Sequence, residues 1–92
     1  MNDLVVHFQK HEYDVFIARP SKWGNPYIVG VHGTRSEVIK KYRHWLLNNP
    51  DLMKALPELK GKRLGCWCAP EACHGDVLAE LANAPDWQDF KN

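Results

Sequence analysis

The chain has 92 residues, of which 45% are hydrophobic and 25% charged, and its formal net charge at pH 7 is +1. This length suits one small domain, and the balanced charge excludes binding to nucleic acid or membranes through overall charge alone. The sequence contains no apolar stretch of transmembrane length, and its first residues lack the pattern of a signal peptide. We therefore expect a cytoplasmic protein that does not associate with membranes.

Two strands are predicted near the N-terminus, at residues 4–8 and 14–18, because both runs are rich in β-branched and aromatic residues. Directly after the second run comes the sequence RPSKWGNPY, residues 19–27, which we call the 19–27 loop. Pro20, Gly24 and Pro26 prevent regular structure there. The sequence therefore predicts a shaped loop at the end of a strand.

A helix is predicted from about residue 35 to residue 48 or 49, because Thr34 and Glu37 have the spacing of a capping box. Its apolar positions recur on one face: Val38, Tyr42, Trp45 and Leu46. Its opposite face is basic: Lys40, Lys41, Arg43 and His44. We interpret the basic face as solvated; a nucleic-acid surface would need it to continue through Arg35, Lys62 and Arg63. A second, shorter helix is expected at residues 50–56.

The third predicted unit combines a strand at residues 63–68, a loop around Pro70, and a helix from Cys73 that Asn83 and Pro85 terminate. The predicted order is β-β-α-α-β-α. This order indicates a single α/β domain over residues 1–92, with about three strands, two N-terminal and one central, and helices packed on the sheet. Its motif-bearing core spans about residues 14–83, and residues 84–92 form a tail that carries Trp87 and Phe90. So small a sheet is compatible with a monomer or a homodimer.

Three motifs stand out together: RPSKWGNPY at residues 19–27, YRHWL at 42–46, and CWCAPEACHGDVL at 66–78. They resemble a family of small, uncharacterised domains of unknown function that is widespread in bacteriophages and bacteria. That family is marked by an RPS…WGNP(F/Y) loop and a CWCxPxxCHGDVL segment. The resemblance covers residues 19–83 and implies a phage or bacterial cytoplasmic protein, but it transfers no activity and no catalytic residue.

The cysteine-rich motif offers a metal site, with Cys66, Cys68, Cys73 and His74 as ligands and zinc as the cofactor. Thiolates and imidazole are the groups that zinc prefers, and these four lie within nine residues. The spacing lacks the C-x2-C pattern that lets two thiolates converge. The alternative is that the cysteines are small packing residues beneath the start of the helix.

The same motif also offers a thiol-dependent enzyme. Cys73 would lie at a helix N-terminus, where the free amides and the helix dipole lower a thiol pKa, and it would be the nucleophile. His74 with Asp76 would be the acid/base pair. Asp76 is better interpreted as a cap of the helix than as a catalytic acid, although its place beside His74 would let it orient that imidazole.

A third hypothesis is an anion site that the 19–27 loop forms with the segment 66–76. If the preceding strands are parallel neighbours, both segments meet at one edge of the sheet. The predicted ligand-binding residues are Arg19, Ser21, Lys22, Trp23, Asn25 and His74. In this hypothesis, Trp23 offers a flat face to a base, and the helix start offers free amides to a phosphate. The alternative is a rigid turn in which Trp23 fills the core.

We favour the anion site, with a nucleotide, a nucleotide-derived metabolite or a nucleic-acid end as its ligand. The alternative from another class is a zinc-stabilised or metal-free adaptor that binds a host or phage protein through aromatic residues. The solvent accessibility of a few side chains distinguishes the ligand-site hypothesis from the adaptor hypothesis. A ligand site predicts that Arg19, Trp23 and His74 are accessible and converge, whereas an adaptor predicts that they are buried and that Trp87 or Phe90 is exposed.

Overall fold

The computed structural model describes residues 4–68 and 71–83, so the predicted roles of Trp87, Phe90 and Pro70 lie outside the described residues. The strands are β1 (Val5–His7), β2 (Val15–Phe16) and β3 (Leu64–Cys66). The helices are α1 (Arg35–Leu47), α2 (Pro50–Ala55) and α3 (His74–Asn83), and a 3-10 turn at Leu56–Leu59 continues α2. The predicted order and the α/β class are confirmed, although each strand is shorter than the run that predicted it.

The sheet has the order β1-β3-β2 and all its strands are parallel. Leu64 of the central strand pairs with Val5 on one side and with Val15 on the other. The two N-terminal strands therefore do not pair with each other, and the C-terminal strand is inserted between them. Because the strands are parallel, the loops that follow β2 and β3 leave from the same edge of the sheet.

Two glycines allow the layers on either face of the sheet to approach closely. A Cβ atom on Gly65 would lie 2.8 Å from Cγ of Tyr13 and 3.1 Å from Cβ of Phe8, so the connection between β1 and β2 packs directly over the central strand. A Cβ atom on Gly75 of α3 would lie 2.7 Å from Cδ1 of Ile17. The sheet thus has an aromatic cover on one face and helices on the other.

The core lies between the sheet and the three helices. Its fully buried side chains include Ile17, Tyr42, Leu46, Leu56, Leu64, Leu78 and Leu81. The predicted apolar face of α1 is confirmed for Val38, Tyr42 and Leu46, whereas Trp45 is half-buried. Within the described residues, no helix has the length and apolar character that crossing a bilayer requires.

The start of α1 is fixed by the predicted capping box. The Thr34 side chain accepts a hydrogen bond from the Glu37 amide at 3.2 Å, and the Glu37 carboxylate accepts one from the Thr34 amide at 2.9 Å. The next residue, Arg35, is the first residue of α1. The free N-H groups of a first helical turn need such partners.

Replacing Thr34 with Ala should lower the free energy of unfolding by about 1 kcal/mol, because one amide of the first turn loses its acceptor. Ser36→Ala is the matched control, since Ser36 lies in the same turn and its side chain makes no hydrogen bond within the described residues. Urea denaturation measures both changes. Equal stability of the two variants would contradict the importance of the cap.

Candidate functional site

A cleft of about 400 Å³ lies at the carboxyl edge of the sheet. The 19–27 loop, the start of α1, the end of β3 and the start of α3 form its walls. The structure therefore brings together the two segments that the sequence placed at one edge. Of the six predicted ligand-binding residues, Arg19, Asn25 and His74 line the cleft, whereas Ser21, Lys22 and Trp23 are not among its lining residues.

Trp23 belongs to the core. Its side chain is 3% exposed, so the prediction that it stacks on a base is wrong. Its carbonyl oxygen accepts a hydrogen bond of 2.7 Å from the buried Tyr42 hydroxyl, whose pKa burial raises, so that hydroxyl stays protonated as a donor. Trp67 does line the cleft, is 57% exposed and packs edge-on against Phe8.

Most polar groups of the 19–27 loop hold the loop in shape. Ser21 Oγ accepts a hydrogen bond from the Trp23 amide at 3.1 Å. Asn25 Oδ1 accepts one from the Tyr27 amide at 2.9 Å, and Asn25 Nδ2 donates to the Val38 carbonyl at 3.3 Å. These are the local turns that Ser and Asn side chains favour. Asn25 therefore lines the cleft, but its side-chain amide already forms hydrogen bonds to the backbone.

The two cations of the loop point to different surroundings. Lys22 Nζ lies 3.4 Å from a Glu58 carboxylate oxygen and 5.3 Å from the centre of the Trp23 ring, away from the cleft. Arg19 is exposed and lines the cleft. Within residues 4–68 and 71–83, the Arg19 guanidinium makes no ion pair and no hydrogen bond. A Cβ on Gly24 would lie 2.8 Å from Arg19 Cγ, so the glycine leaves room for the stem of this side chain.

His74 is buried, so like Trp23 it lacks the accessibility that the ligand-site hypothesis predicted, and it joins two segments of the cleft. Its Nε2 lies 2.8 Å from the carbonyl oxygen of Ile17, and its ring meets Tyr42 edge-on at 5.0 Å. A carbonyl oxygen only accepts, so Nε2 carries the proton and Nδ1 of the neutral ring is an acceptor. Burial lowers the pKa of His74, and the nearby Arg19 charge lowers it further. His74 is therefore neutral at pH 7 and connects the end of β2 to α3.

The start of α3 is capped by its own side chains. Cys73 precedes the helix, and its sulfur accepts a hydrogen bond from the Gly75 amide at 3.3 Å. The Asp76 carboxylate accepts one from the Cys73 amide at 3.1 Å. Asp76 thus acts as a cap, and its recorded hydrogen bond is to the Cys73 amide and not to the His74 ring that it was predicted to orient. The Cys73 and Gly75 amides therefore already have acceptors, contrary to the expectation that the amides at this helix start are free for a phosphate.

The three cysteines form no disulfide and lie in different surroundings. Cys66 and Cys73 are buried with their sulfur atoms 3.2 Å apart, whereas Cys68 is half-buried and lines the cleft. The neighbouring thiols of Cys66 and Cys68, together with burial, raise the pKa of Cys73. Hydrogen bonding to the Cys73 thiol and to the Arg35 guanidinium lowers the pKa of Cys68 to about 6. The lowered pKa therefore belongs to Cys68 and not to Cys73, which was the thiolate that the sequence predicted.

The predicted zinc ligands do not form a metal site here. Among the described residues, no three His, Cys, Asp or Glu side chains are arranged to hold a metal ion. The proton on Nε2 of His74 is donated to the Ile17 carbonyl, so only Nδ1 of this ring has a lone pair for a metal. The sulfur atoms of Cys66 and Cys73 lie 3.2 Å apart, but they form no three-ligand group with Cys68 or His74 in the described part of the chain. Zinc would need the four groups around one point.

Arg35 is a cleft residue that the sequence suggested only as part of a basic surface. It donates to the Ala72 carbonyl at 3.1 Å, pairs with Glu71 at 3.2 Å and contacts Cys68. Its position directly after the Thr34 cap was visible in the sequence. The approach of residues 71–72 to that position was not visible, because it depends on how α1 and α3 pack.

The other basic residues of α1 mostly make contacts within the chain. Lys41 donates to the His32 carbonyl at 2.6 Å, and Arg43 pairs with Glu80 at 2.9 Å. These contacts agree with the interpretation of a solvated face that connects neighbouring elements. They leave Arg19 and Arg35 as the cations of the cleft.

The fold and the site define a small, parallel α/β domain with a thiol-bearing cleft at the carboxyl edge of its sheet. Residues 6–84 match the family described as Domain of unknown function (DUF4326), and the chain belongs to that family. An uncharacterised 12.4 kDa protein from the nrdA-td intergenic region of enterobacteria phage T4 is 36% identical over an alignment of 91 residues, which covers 95% of this chain and 83% of the phage protein. Uncharacterised protein R718 of Acanthamoeba polyphaga mimivirus is 36% identical over 107 residues, covering 97% of this chain and 78% of its own. No solved structure matches.

The reaction of Cys68 with iodoacetamide in the native protein should reach half of its maximal rate near pH 6, where its thiolate is half formed. An ordinary thiol would do so near about pH 8.5. Arg35→Ala should move the midpoint to higher pH, whereas Arg43→Ala, on the same helix and paired with Glu80, should not. Mass spectrometry of the labelled peptides measures each cysteine separately. A midpoint near that of an ordinary thiol would contradict the assignment.

His74 should make the folded protein less stable in acid. Because burial lowers its pKa in the folded state, the unfolded chain binds its proton first, and stability falls as the pH drops below about 6.5. The slope from this residue is at most about 1.4 kcal/mol per pH unit. His74→Gln keeps a terminal N-H donor but cannot titrate, so its stability should depend less on pH in this range. Thermal unfolding at several pH values compares the two proteins, and equal slopes would contradict this role.

Proposed function

We propose that this protein binds an anionic ligand in the cleft between the 19–27 loop and the segment 66–76, and that the ligand is a nucleotide, a nucleotide-derived metabolite or a nucleic-acid end. The observation that carries the proposal is the placement of Arg19. This guanidinium lines the cleft and has no ion-pair partner among the described residues. A planar group with five donors suits a phosphate or carboxylate oxygen pair.

The rest of the cleft supports a ligand with both a charged and a flat part. Trp67 and Tyr27 offer aromatic surface, and Val29 and Ile39 add apolar surface. His74 also lines the cleft, and its Nδ1 is an acceptor that has no hydrogen-bond partner among the described residues. A volume of about 400 Å³ accommodates a group of mononucleotide size. The ligand's anion would bind Arg19, and its base would stack on an aromatic ring.

Arg35 contributes less to anion binding than Arg19. Its charge is shared with Glu71 and with the thiolate of Cys68. An anion that enters the cleft therefore meets one unpaired cation and one that is largely neutralised. This is the reason for choosing Arg19 for the test. We also infer that the protein works in the cytoplasm, where thiols such as these stay reduced.

Arg19→Ala should weaken binding of AMP about tenfold or more, because a hydrogen-bonded charge contributes on the order of 1.5–3 kcal/mol. Lys22→Ala is the matched control. It removes a cation from the same loop, but one that pairs with Glu58 outside the cleft. Calorimetric titration measures the affinities, and thermal melting checks that both variants keep the stability of the wild type.

Uncharged adenosine should bind more weakly than AMP and should be insensitive to Arg19→Ala. A short oligonucleotide with and without a 5′ phosphate gives the same comparison for a nucleic-acid end. Loss of affinity in Lys22→Ala but not in Arg19→Ala would contradict the site. Equal affinity for the phosphorylated and unphosphorylated probes would contradict the proposal that the cleft binds an anionic group.

An adaptor that binds a host or phage protein is the second candidate, and one observation favours it. Ile28, Val29 and Val31 form a short apolar stretch in which Val31 is 71% exposed. Exposed apolar stretches of this kind are typical of protein contacts. An adaptor of this type would keep its partner affinity in Arg19→Ala and lose it when Val31 is replaced by Asp.

A further inference from the structure

The three cysteines differ in access but adjoin one another. Cys68 is half-buried and lines the cleft, whereas Cys73 is 3% exposed and Cys66 is 1% exposed. The Glu71 amide donates a hydrogen bond of 2.8 Å to the Cys68 carbonyl, and Cys73 lines the same cleft as Cys68. A reagent from solvent therefore meets Cys68 first, and a buried second thiol adjoins the point of reaction.

We propose that Cys68 undergoes thiol–disulfide exchange with small disulfides that enter the cleft, and that Cys73 resolves the mixed disulfide. This assigns a two-cysteine exchange site to the carboxyl edge of the sheet. Its substrate class is low-molecular-weight disulfides, such as glutathione disulfide. Arg35 contacts the Cys68 sulfur and is placed to stabilise its thiolate.

The chemistry balances in two exchanges. In the first, the Cys68 sulfur attacks one sulfur of the small disulfide, a new S–S bond forms, and the other half leaves as a thiolate that takes a proton from water. In the second, Cys73 gives up its proton to water or to a leaving thiolate, its sulfur attacks Cys68 Sγ, and the second half leaves as a thiol. Two protein thiols are oxidised to one disulfide, and the small disulfide is reduced to two thiols.

Two features favour Cys73 as the resolving thiol. Its sulfur is held by the Cys66 sulfur at 3.2 Å and the Gly75 amide at 3.3 Å, at the wall of the cleft that Cys68 also lines. Its burial prevents direct attack by an external disulfide, which restricts it to Cys68. Cys66 lies 3.2 Å from Cys73 but deeper in the core, and the exchange does not require it.

The exchange is separate from the anion binding proposed above. It needs the sulfur atoms and Arg35, whereas binding of AMP depends on Arg19. An uncharged reagent, 2-hydroxyethyl disulfide, tests the exchange without any anionic group. If AMP fails to bind, the exchange experiment can therefore still be interpreted independently.

The experiment treats the reduced, full-length protein with glutathione disulfide, and in parallel with 2-hydroxyethyl disulfide, then traps free thiols by alkylation and maps the modified peptides by mass spectrometry. The wild type should end with a Cys68–Cys73 disulfide and no retained adduct. Cys73→Ser should keep the adduct on Cys68, and serine preserves the cap of α3 because its hydroxyl is a good N-cap acceptor. Cys68→Ser should slow thiol loss about tenfold or more.

Cys66→Ala is the control, and it should still form the Cys68–Cys73 disulfide. Circular dichroism and thermal melting establish that each variant is folded. The inference is overturned if Cys68 of the wild type stays unmodified by both reagents, if Cys73→Ser accumulates no adduct, or if the internal disulfide disappears in Cys66→Ala.

Discussion

The hydrogen bond between His74 Nε2 and the Ile17 carbonyl is the contact on which the cleft depends. It is buried, it measures 2.8 Å, and it joins the residue after β2 to the first residue of α3. A buried carbonyl without a partner is costly, so this contact favours a single arrangement of the two segments. The Tyr42 hydroxyl, 2.7 Å from the Trp23 carbonyl, fixes the other side of the 19–27 loop to α1. Together they hold both walls of the cleft to the helical layer.

Both motifs divide their residues between structure and chemistry. In the 19–27 loop, Ser21, Trp23 and Asn25 satisfy backbone groups or fill the core, and Arg19 is left facing the cleft. In the cysteine-rich motif, the residues that build the start of α3 are Cys73, His74, Gly75 and Asp76. The cleft is left with Trp67 and Cys68. A motif dense in polar residues therefore presents only a few groups to a ligand.

Arg35 connects the two activities that we propose for the cleft. It fixes residues 71 and 72 by contacts to Glu71 and to the Ala72 carbonyl, and it contacts the Cys68 thiol. Its charge is thus shared with groups of the chain, which leaves anion binding mainly to Arg19. An anion near Arg35 and a thiolate at Cys68 would compete for the same guanidinium.

Local sequence patterns predicted the elements of this fold, and long-range packing decided the details of the site. The Thr34–Glu37 capping box and the spacing of Val38, Tyr42 and Leu46 fixed α1, because these signals act within one helix. The insertion of β3 between β1 and β2 followed no local signal, since strand order depends on contacts far apart in the chain. The same limit explains the errors at single residues. Trp23 was assigned to the surface although Tyr42 holds its carbonyl in the core, and the thiolate was assigned to Cys73 although Arg35 reaches Cys68 instead.

The most direct test of the cleft is a map of backbone amide chemical-shift changes when AMP is added to ¹⁵N-labelled protein. The account predicts that the largest changes fall on residues 18–29 and on Trp67, Cys68 and His74, which line one cleft although they are far apart in sequence. Changes centred on the basic face of α1, at Lys40 and His44, would contradict it. They would move the ligand to the solvated surface of the helix and leave the carboxyl edge of the sheet without a ligand.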